Sequence, residues 1–359
     1  MTSKERVSNV MARRLPDRVP LDFSANAGTL ARLQRDLGVG THKELLHRLH
    51  SDILDLRGVV DPLWRGPMPK EVQRPDGVKE NWLGWRQRRM ETASGPEDSF
   101  CEFVLAGAQS VGELRRHRWP EVDWFDFSDF ALRLEPWSDF VLMASGASVF
   151  QHATFLRGFE NVLADMAGAP ELNDYVTDRL TDFYLAYYDC MFAAAPGRIG
   201  ILRIADDLAM QDRLLFSPRD FDRHVSPRLR KLIEMGHRHG AKVMFHSCGA
   251  VEPLIERLID LGVDLLDPIQ IRARGMDPEA LQRKYGGRIV FHGSVDTQQL
   301  LPLGSPDDVA REVRRLIGIF GTEGGFILAP SHVLQTDVPT ENVLALYETA
   351  FAAGASNTP

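Results

Sequence analysis

The second part of the chain alternates short, continuously apolar runs with amphipathic stretches of helical periodicity. The apolar runs occupy residues 141–150, 197–205, 241–248, 263–269, 288–295 and 324–332. Runs that are apolar throughout are typical of parallel strands buried on both faces, and repeated strand–helix units indicate a parallel sheet with right-handed crossovers. So many units in one chain favour a closed barrel. We therefore predict an α/β fold, a single (β/α)8 TIM barrel in which residues 1–359 form one domain.

The N-terminal part of the chain follows a different pattern. Thr2 to Arg14 is predicted to form a helix that begins with a capping box between Thr2 and Glu5, and a short strand is predicted from Val19 to Phe23. Residues 60–135 are rich in Trp, Pro, Arg and Gly. We interpret them as an N-terminal excursion, with a hairpin, over one end of the barrel.

Composition and charge narrow the function classes. Hydrophobic residues make up 44% of the 359 residues and charged residues 26%, as in a globular enzyme with a sizeable core. A net charge of -8 argues against nucleic acid as the main partner, because phosphate contacts need a basic face. Three cysteines are too few for a disulfide framework, and we find no signal-peptide pattern or membrane-length apolar stretch. We expect a soluble, cytoplasmic protein with no membrane partner.

The sequence His246-Ser247-Cys248-Gly249 is the most informative motif for chemistry. It ends the apolar run Ala241–Phe245 and precedes a helix-like stretch. Residues two apart in a strand point to the same side, so His246 and Cys248 face one way at the carboxyl end of a strand. An imidazole beside a thiol is half of a zinc site, although a packed thiol next to a hydrogen-bonded histidine has the same spacing.

Other polar residues follow the predicted strands, and active sites of barrels lie at the carboxyl ends of the strands. These residues are Asp206, Asp207, Asp267, Gln270, His292, Ser294, Asp296, Ser331 and His332. We expect them to converge on one basin. Helix capping by Asp206 or Asp207, turn formation at Asp267 before Pro268, and a loop contact of His332 are the structural alternatives.

A catalytic zinc needs three protein ligands and an open position. His246 and Cys248 supply two of them. His332 is our first choice for the third, with Asp206, Asp207 and His292 as alternatives. One thiolate with two imidazoles leaves a less anionic site than two thiolates do, and its metal is a stronger Lewis acid.

These residues lie in segments that resemble the uroporphyrinogen decarboxylase superfamily, especially its corrinoid-dependent methyltransferase branch. The resemblance extends from the opening SKERVSNVMARRLPDRVPLDF through MFHSCGAVEPLIERLIDLGVDLLDPIQ to FILAPSHVLQTDVPTENVLALYE, and it is weakest over residues 60–135. It implies a (β/α)8 barrel. It also suggests a homodimer.

The resemblance implies a zinc bound through His-x-Cys and a distant cysteine in the methyltransferase branch. Here the matching Ala-Pro-x-Cys segment is Ala329-Pro330-Ser331-His332, so that His332 stands in place of the cysteine. The decarboxylase, in contrast, needs no metal and holds its substrate with an Arg-Gln-Ala-Gly-Arg type motif after the first strand. The corresponding region LDFSANAGTLARLQRDL lacks the arginine pair. No Asp-x-His-x-x-Gly corrinoid loop is present, which implies that any corrinoid is carried by a separate protein.

Our hypothesis is a zinc-dependent methyltransferase that moves a methyl group between a small methoxy- or thiol-type substrate and a corrinoid protein. Zinc would be held by His246, Cys248 and His332. The catalytic pair Asp206 and Asp207 would orient the substrate or manage its proton. The remaining candidates would contact the substrate: Gln211, Asp267, Gln270, His292 and Trp85. Trp82 and Trp85 would cover the mouth, with core packing as the alternative.

Two other functions are kept open. One is a cofactor-free decarboxylase of the uroporphyrinogen decarboxylase type, which would require an arginine cluster near the barrel mouth. Arg203, Arg272 and Arg274 are its candidates. The other is a non-catalytic barrel that binds a ligand or a corrinoid partner.

Overall fold

The structure is a computed structural model that describes residues 1–92 and 95–355. The strands are β1 (Ile53–Asp55), β2 (Leu63–Trp64), β3 (Glu71–Gln73), β4 (Val78–Asn81), β5 (Trp85–Thr92), β6 (Gly95–Phe103), β7 (Phe125–Asp126), β8 (Val141–Ala147), β9 (Ile199–Ala205), β10 (Lys242–His246), β11 (Leu265–Asp267), β12 (Val290–Val295) and β13 (Phe326–Pro330).

The α-helices are α1 (Ser3–Met11), α2 (Ala27–Leu37), α3 (His42–Arg48), α4 (Val111–Leu114), α5 (Phe130–Arg133), α6 (Phe150–Arg157), α7 (Phe159–Gly168), α8 (Pro170–Ala194), α9 (Pro218–Asp220), α10 (Ser226–Arg238), α11 (Glu252–Leu261), α12 (Pro278–Tyr285), α13 (Leu300–Leu303), α14 (Pro306–Phe320) and α15 (Thr340–Ala355). Short 3₁₀ turns lie at Val122–Trp124 and Glu135–Trp137, and a π-helical turn lies at Phe221–Val225. None of the described helices is long and apolar enough to cross a bilayer.

A curled parallel sheet forms the wall of a TIM-type barrel, as predicted. Seven strands pair in the order β1-β8-β9-β10-β11-β12-β13. The segment around Leu21 fills the remaining gap. Its backbone forms a parallel bridge with Leu328 of β13, and its carbonyl accepts from the Asp52 N–H just before β1. The segment predicted as a strand at 19–23 therefore closes the barrel between β13 and β1, although only its middle is regular.

Side chains inside the barrel form two layers, because alternate residues of a strand point to the same side. The lower, apolar layer is sealed from below by Val7 and Val10 of α1 and consists of Ile53, Val141, Met143, Ile201, Met244, Leu265, Val290 and Ile327. Two residues further along the strands lies a polar layer, namely Asp22, Asp55, Ser145, Arg203, His246, Asp267 and His292. The polar layer faces the carboxyl ends of the strands.

The excursion between β1 and β8 forms its own small sheet. Strands β3, β4, β5 and β6 make an antiparallel sheet, and β2 pairs with β7. The sheet packs against α6 and α8, where Trp82 contacts Phe183 with ring centroids 5.4 Å apart. The predicted hairpin and excursion are confirmed, and Trp82 packs into the aromatic core.

At the other end of the barrel, α1 begins as predicted. The Thr2 side chain accepts from the Glu5 N–H, and the Glu5 carboxylate accepts from the Thr2 N–H. Both ends of this capping box satisfy backbone donors that a helix N-terminus otherwise leaves unpaired. The helix ends at Met11, before the predicted end at Arg14.

Candidate metal centre

The three predicted metal ligands come together at the barrel mouth. Donor atoms of His246, Cys248 and His332 all lie within 4.8 Å of one another. His246 and Cys248 come from the end of β10, and His332 lies just beyond β13. His246 is buried, Cys248 is half-buried and His332 is exposed. The donors therefore sit at the boundary between the polar layer and solvent, which provides the entry path that a metal site needs.

The spacing and the chemistry of these donors fit zinc. Nε2 of His246 lies 3.7 Å from Sγ of Cys248, close to the separation expected for two ligands on one tetrahedral Zn²⁺ with bond lengths of about 2.0–2.3 Å. Burial, and then the nearby carboxylates of Asp207 and Asp267, raise the pKa of the Cys248 thiol. A thiolate here therefore needs a cation to stabilise it.

A carboxylate behind His246 orients the imidazole. Nδ1 of His246 lies 2.6 Å from Asp267 Oδ2, the arrangement in which a metal-ligating histidine donates its other N–H to a carboxylate. Nη2 of Arg203 also lies 2.6 Å from Nδ1. An arginine N–H can only donate, so the two contacts require different tautomers of His246. A metal on Nε2 requires the tautomer that donates to Asp267.

Asp267 is the centre of a buried network in the polar layer. Its carboxylate contacts His292 Nδ1 at 2.7 Å and Arg203 Nε at 2.8 Å in addition to His246. Burial acts to raise the pKa of Asp267, but Arg203 and the two histidines outweigh it and hold the pKa well below the usual value. The carboxylate is therefore ionised and is fully occupied by these partners.

His292 lies deep in this network and away from the metal donors. Its two ring nitrogens contact Asp267 at 2.7 Å and Asp22 at 3.0 Å. Burial acts to lower the pKa of His292, but Asp267 and Asp22 outweigh it and raise the pKa to about 9. His292 is thus an imidazolium that holds two carboxylates. This position suits a supporting role for Asp267 better than direct ligation.

Asp206 and Asp207 are adjacent in sequence but have different surroundings. Asp206 is fully buried, and its carboxylate accepts from Ser148 Oγ and from the N–H groups of Val149 and Gln151 at the start of α6. It therefore caps the helix of the preceding unit, not the turn that follows it.

Asp207 reaches the metal donors. Its Oδ1 accepts from the Cys248 N–H at 2.9 Å and lies 3.7 Å from Nε2 of His246. Its Oδ2 accepts from the Gln151 side-chain amide at 3.1 Å. Of the predicted catalytic pair, Asp207 is the member that the structure places where it can contact a bound substrate.

Three glutamine side chains form the rim beside this cluster. Oε1 of Gln270 accepts from the Gly249 N–H at 2.7 Å and from the Gln211 amide at 3.0 Å, and Gln298 approaches Gln211 at 3.5 Å. Gly249 has φ of +90°, and a Cβ there would lie 2.4 Å from the Met210 carbonyl. The backbone of residues 209–210 passes so close to this position that only glycine fits after the His-x-Cys motif.

Trp85 and Trp82 lie apart from the three donors. Trp85 packs edge-on against His152 and Phe155, with ring centroids 4.5 and 5.2 Å away. Both tryptophans line a cavity beneath the excursion, and that cavity's lining contains none of the described metal donors.

The chain is similar to known proteins in sequence and in fold. The family model for uroporphyrinogen decarboxylase (URO-D) matches residues 137–352, more than half of the chain. The chain belongs to the URO-D family. A curated member, uroporphyrinogen decarboxylase of Methylococcus capsulatus, is 23% identical over 214 residues, which are 59% of this chain and 56% of that protein. The match therefore spans little more than half of this relative's length.

A solved structure supports the same fold over the whole chain. A methyltransferase from Methanosarcina mazei is 20% identical, with a TM-score of 0.64, and the match covers 98% of this chain and 99% of that one. At this identity the likeness establishes the URO-D-type barrel and leaves the reaction open.

Several residues that support the site were not predicted from the sequence, because the sequence gives little or no signal for them. Asp22 and Asp55 lie in the short strands that precede the regular pattern, where few residues show the period of two. Gln151 and Ser148 come from the start of α6 and reach Asp207 and Asp206. No local pattern marks them, because their role depends on a neighbouring strand.

Proposed function

We propose that this URO-D family member is a zinc-dependent methyltransferase acting on a small methoxy- or thiol-type compound, with a corrinoid on a separate protein as the methyl partner. The convergence of His246, Cys248 and His332 donor atoms within 4.8 Å is the observation that carries the proposal. A bound Zn²⁺ would supply Lewis acidity for the heteroatom that carries the methyl group.

The chain's own residues prepare this chemistry. Asp267 holds the His246 ring so that Nε2 points to the cluster, and Arg203 and His292 keep the Asp267 carboxylate ionised and in place. Asp207 lies at the open side, where it would orient the substrate or accept the proton of a thiol. The amides of Gln211 and Gln270 would contact the substrate at the rim.

In the direction of demethylation, the C–O or C–S bond of the substrate breaks and its electron pair stays on the heteroatom. The methyl group would leave to a reduced corrinoid on the partner protein, which would supply the electron pair that the methyl carbon needs. An oxygen or sulfur anion is a poor leaving group in an apolar site, so stabilisation of its charge is where the protein contributes most.

Decarboxylation is less well supported by the arrangement of arginines. Arg203 is engaged by Asp267 inside the barrel, while Arg272 and Arg274 are exposed on the loop after β11. A polycarboxylate substrate needs several unpaired cations at one place. The described residues around the metal donors do not provide such a cluster.

Free cob(I)alamin can replace the unidentified corrinoid protein in a test. The zinc-loaded protein is incubated with cob(I)alamin and a panel of methyl thioethers and methoxy compounds, and methylcobalamin is followed by its absorbance. Methyl transfer that is lost in Cys248→Ser but kept in Cys190→Ser supports the proposal. Release of CO₂ from a porphyrinogen by metal-free protein, with no methyl transfer, contradicts it.

A further inference from the structure

A cavity of about 220 Å³ lies apart from the metal centre. It is enclosed by the excursion, by α8 and by the ends of β1 and β8. Leu56 and Ala144, which line it, belong to the core between the barrel wall and the helices, not to the barrel interior. Ser145 of the polar layer lines it as well. Most of the cavity therefore lies outside the barrel wall, on the same side as the carboxyl ends of the strands.

Aromatic rings form much of the wall of this cavity. Phe183, Tyr184, Tyr187 and Tyr188 all line it, and their spacing in α8 puts them on one helical face. Trp82 and Trp85 from the excursion line it as well. Flat walls of this kind favour an aromatic ligand, which can stack on them or meet them edge-on.

The polar groups of the cavity are mostly donors. Arg57 lines it, is exposed, and pairs with no carboxylate in the described part of the chain. Asp61 and Lys70 also line the cavity, and their charges are paired with each other at 3.3 Å. Asn81 uses its side-chain oxygen to accept from the N–H groups of Leu83 and Trp85, which leaves its amide N–H groups. A ligand for these groups needs an acceptor, and the unpaired cation favours an anionic one.

Two further observations point to a small ligand that carries an acceptor. Nε1 of Trp85 is buried and has no hydrogen-bond partner, although a buried indole N–H usually has one. An apolar cavity of about 150 Å³ is enough to hold benzene, and pockets for drug-sized molecules start at about 300 Å³. The volume of this cavity lies between the two, so it suits one substituted ring.

We propose that this cavity binds a single-ring aromatic carboxylate, with the ring between the Trp82, Trp85 and Tyr187 side chains and the carboxylate at Arg57. The site is separate from the metal centre, and the proposal does not depend on methyl transfer.

Isothermal titration calorimetry with benzoate, benzamide and cyclohexanecarboxylate tests the chemistry of the ligand. Benzamide keeps the ring and loses the charge, and cyclohexanecarboxylate keeps the charge and loses the aromatic faces. We expect benzoate to bind at least about ten-fold more tightly than benzamide, since a charge-assisted contact replaces a neutral one. Benzoate should also bind more tightly than cyclohexanecarboxylate. No binding of benzoate, or equal binding of benzoate and benzamide, would overturn the proposal.

Variants then locate the site. Arg57→Gln should weaken benzoate binding by about 10- to 100-fold, and because Arg57 is exposed the fold should persist, as circular dichroism would report. Arg314→Gln, at an exposed arginine of α14, is the matched control and should bind as the wild type does. Binding should also survive in His246→Ala, whether or not the metal is retained. Loss of benzoate binding in His246→Ala, or normal binding in Arg57→Gln, would place the ligand elsewhere and contradict the proposal.

Discussion

The two layers inside the barrel are built on the same strands but are stabilised in different ways. In the apolar layer, Met244 and Leu265 are fully buried and belong to one cluster of apolar side chains. Two residues further along the same strands, His246 and Asp267 are also buried. Their hydrogen bonds replace the packing that stabilises the layer below.

The period of a strand determines which side chains face the barrel interior, but it does not determine how those side chains are stabilised there. Alternation alone puts both layers inside the barrel. An error in the apolar layer leaves a void, whereas an error in the polar layer leaves a buried charge without a partner, which costs more. Changes in the polar layer should therefore affect stability and metal binding together, and changes in the apolar layer should affect stability alone.

Asp267→Asn is expected to have the largest effect. It removes the charge shared by Arg203, His246 and His292 and leaves the buried Arg203 guanidinium without its carboxylate partner, while His292 keeps Asp22. This should lower the free energy of unfolding by roughly 3 kcal/mol or more. The loss of the carboxylate behind His246 should weaken zinc binding by about 10- to 100-fold. Urea unfolding and competitive zinc titration measure the two effects.

The matched control for Asp267 is Asp222→Ala. Asp222 pairs with Arg257 on the surface, where both side chains are exposed, so its loss should cost no more than about 1 kcal/mol. If Asp267→Asn bound zinc as tightly as the wild type, the supporting role of the carboxylate would be wrong.

Met244→Ala disrupts the packing of the apolar layer and should lower stability without lowering zinc affinity. The cavity it leaves should cost about 2–5 kcal/mol of stability. Zinc affinity should stay close to that of the wild type, because Met244 belongs to the apolar layer below the donors. The same unfolding and titration measurements apply. A large fall in zinc affinity would mean that the two layers are not independent.

The raised pKa of Asp206 predicts that stability falls as the pH rises. Burial outweighs its hydrogen bonds and raises its pKa from 3.8 to about 6, so the folded state holds this proton more tightly than the unfolded chain does. The resulting stabilisation is complete below the ordinary pKa and is lost as the pH rises through 6. Relative to Asp206→Asn, metal-free wild type should lose about 2–3 kcal/mol of stability between about pH 4 and pH 7.

Urea unfolding of both proteins at a series of pH values checks this difference. A gap between the two proteins that is constant with pH, or one that grows in favour of the wild type as the pH rises, would contradict the assigned direction of the Asp206 shift.

Asp207→Asn should have the smallest effect on stability and a selective effect on the site. Its side chain is partly exposed, so we expect a change of no more than about 0.5 kcal/mol in the free energy of unfolding. If Asp207 manages a substrate proton, methyl transfer should fall by about 100-fold or more. Methyl transfer at the wild-type rate would remove Asp207 from the proposed chemistry.

Much of the fold follows from the sequence because buried parallel strands are apolar throughout. The apolar runs predict β8 to β13 in this way, whereas the strand at Val19–Phe23 is predicted from the prolines at its start. β1 has only three residues and was missed, since so short a run has no detectable period. The excursion was recognised from its Trp-rich composition, but its sheet order depends on pairings that composition does not encode.

The candidate site was partly predictable for a similar reason. His246 and Cys248 belong to one strand end, so their proximity follows from local spacing, and His332 was suggested by its place after another strand. The partners of Asp206 and His292 could not be predicted, because Ser148 and Asp22 meet them only through the closure of the barrel. Tertiary contacts of this kind leave no local pattern.

The metal content of purified protein tests the central claim most directly. Wild type is compared with His246→Ala, Cys248→Ser and His332→Ala, and with His237→Ala as a control at a histidine that pairs with Asp264 on the surface. We predict about one zinc per chain in the wild type and the control, and loss of zinc in each of the three ligand variants. A wild type without zinc after supplementation, or zinc retained in the ligand variants, would contradict the account.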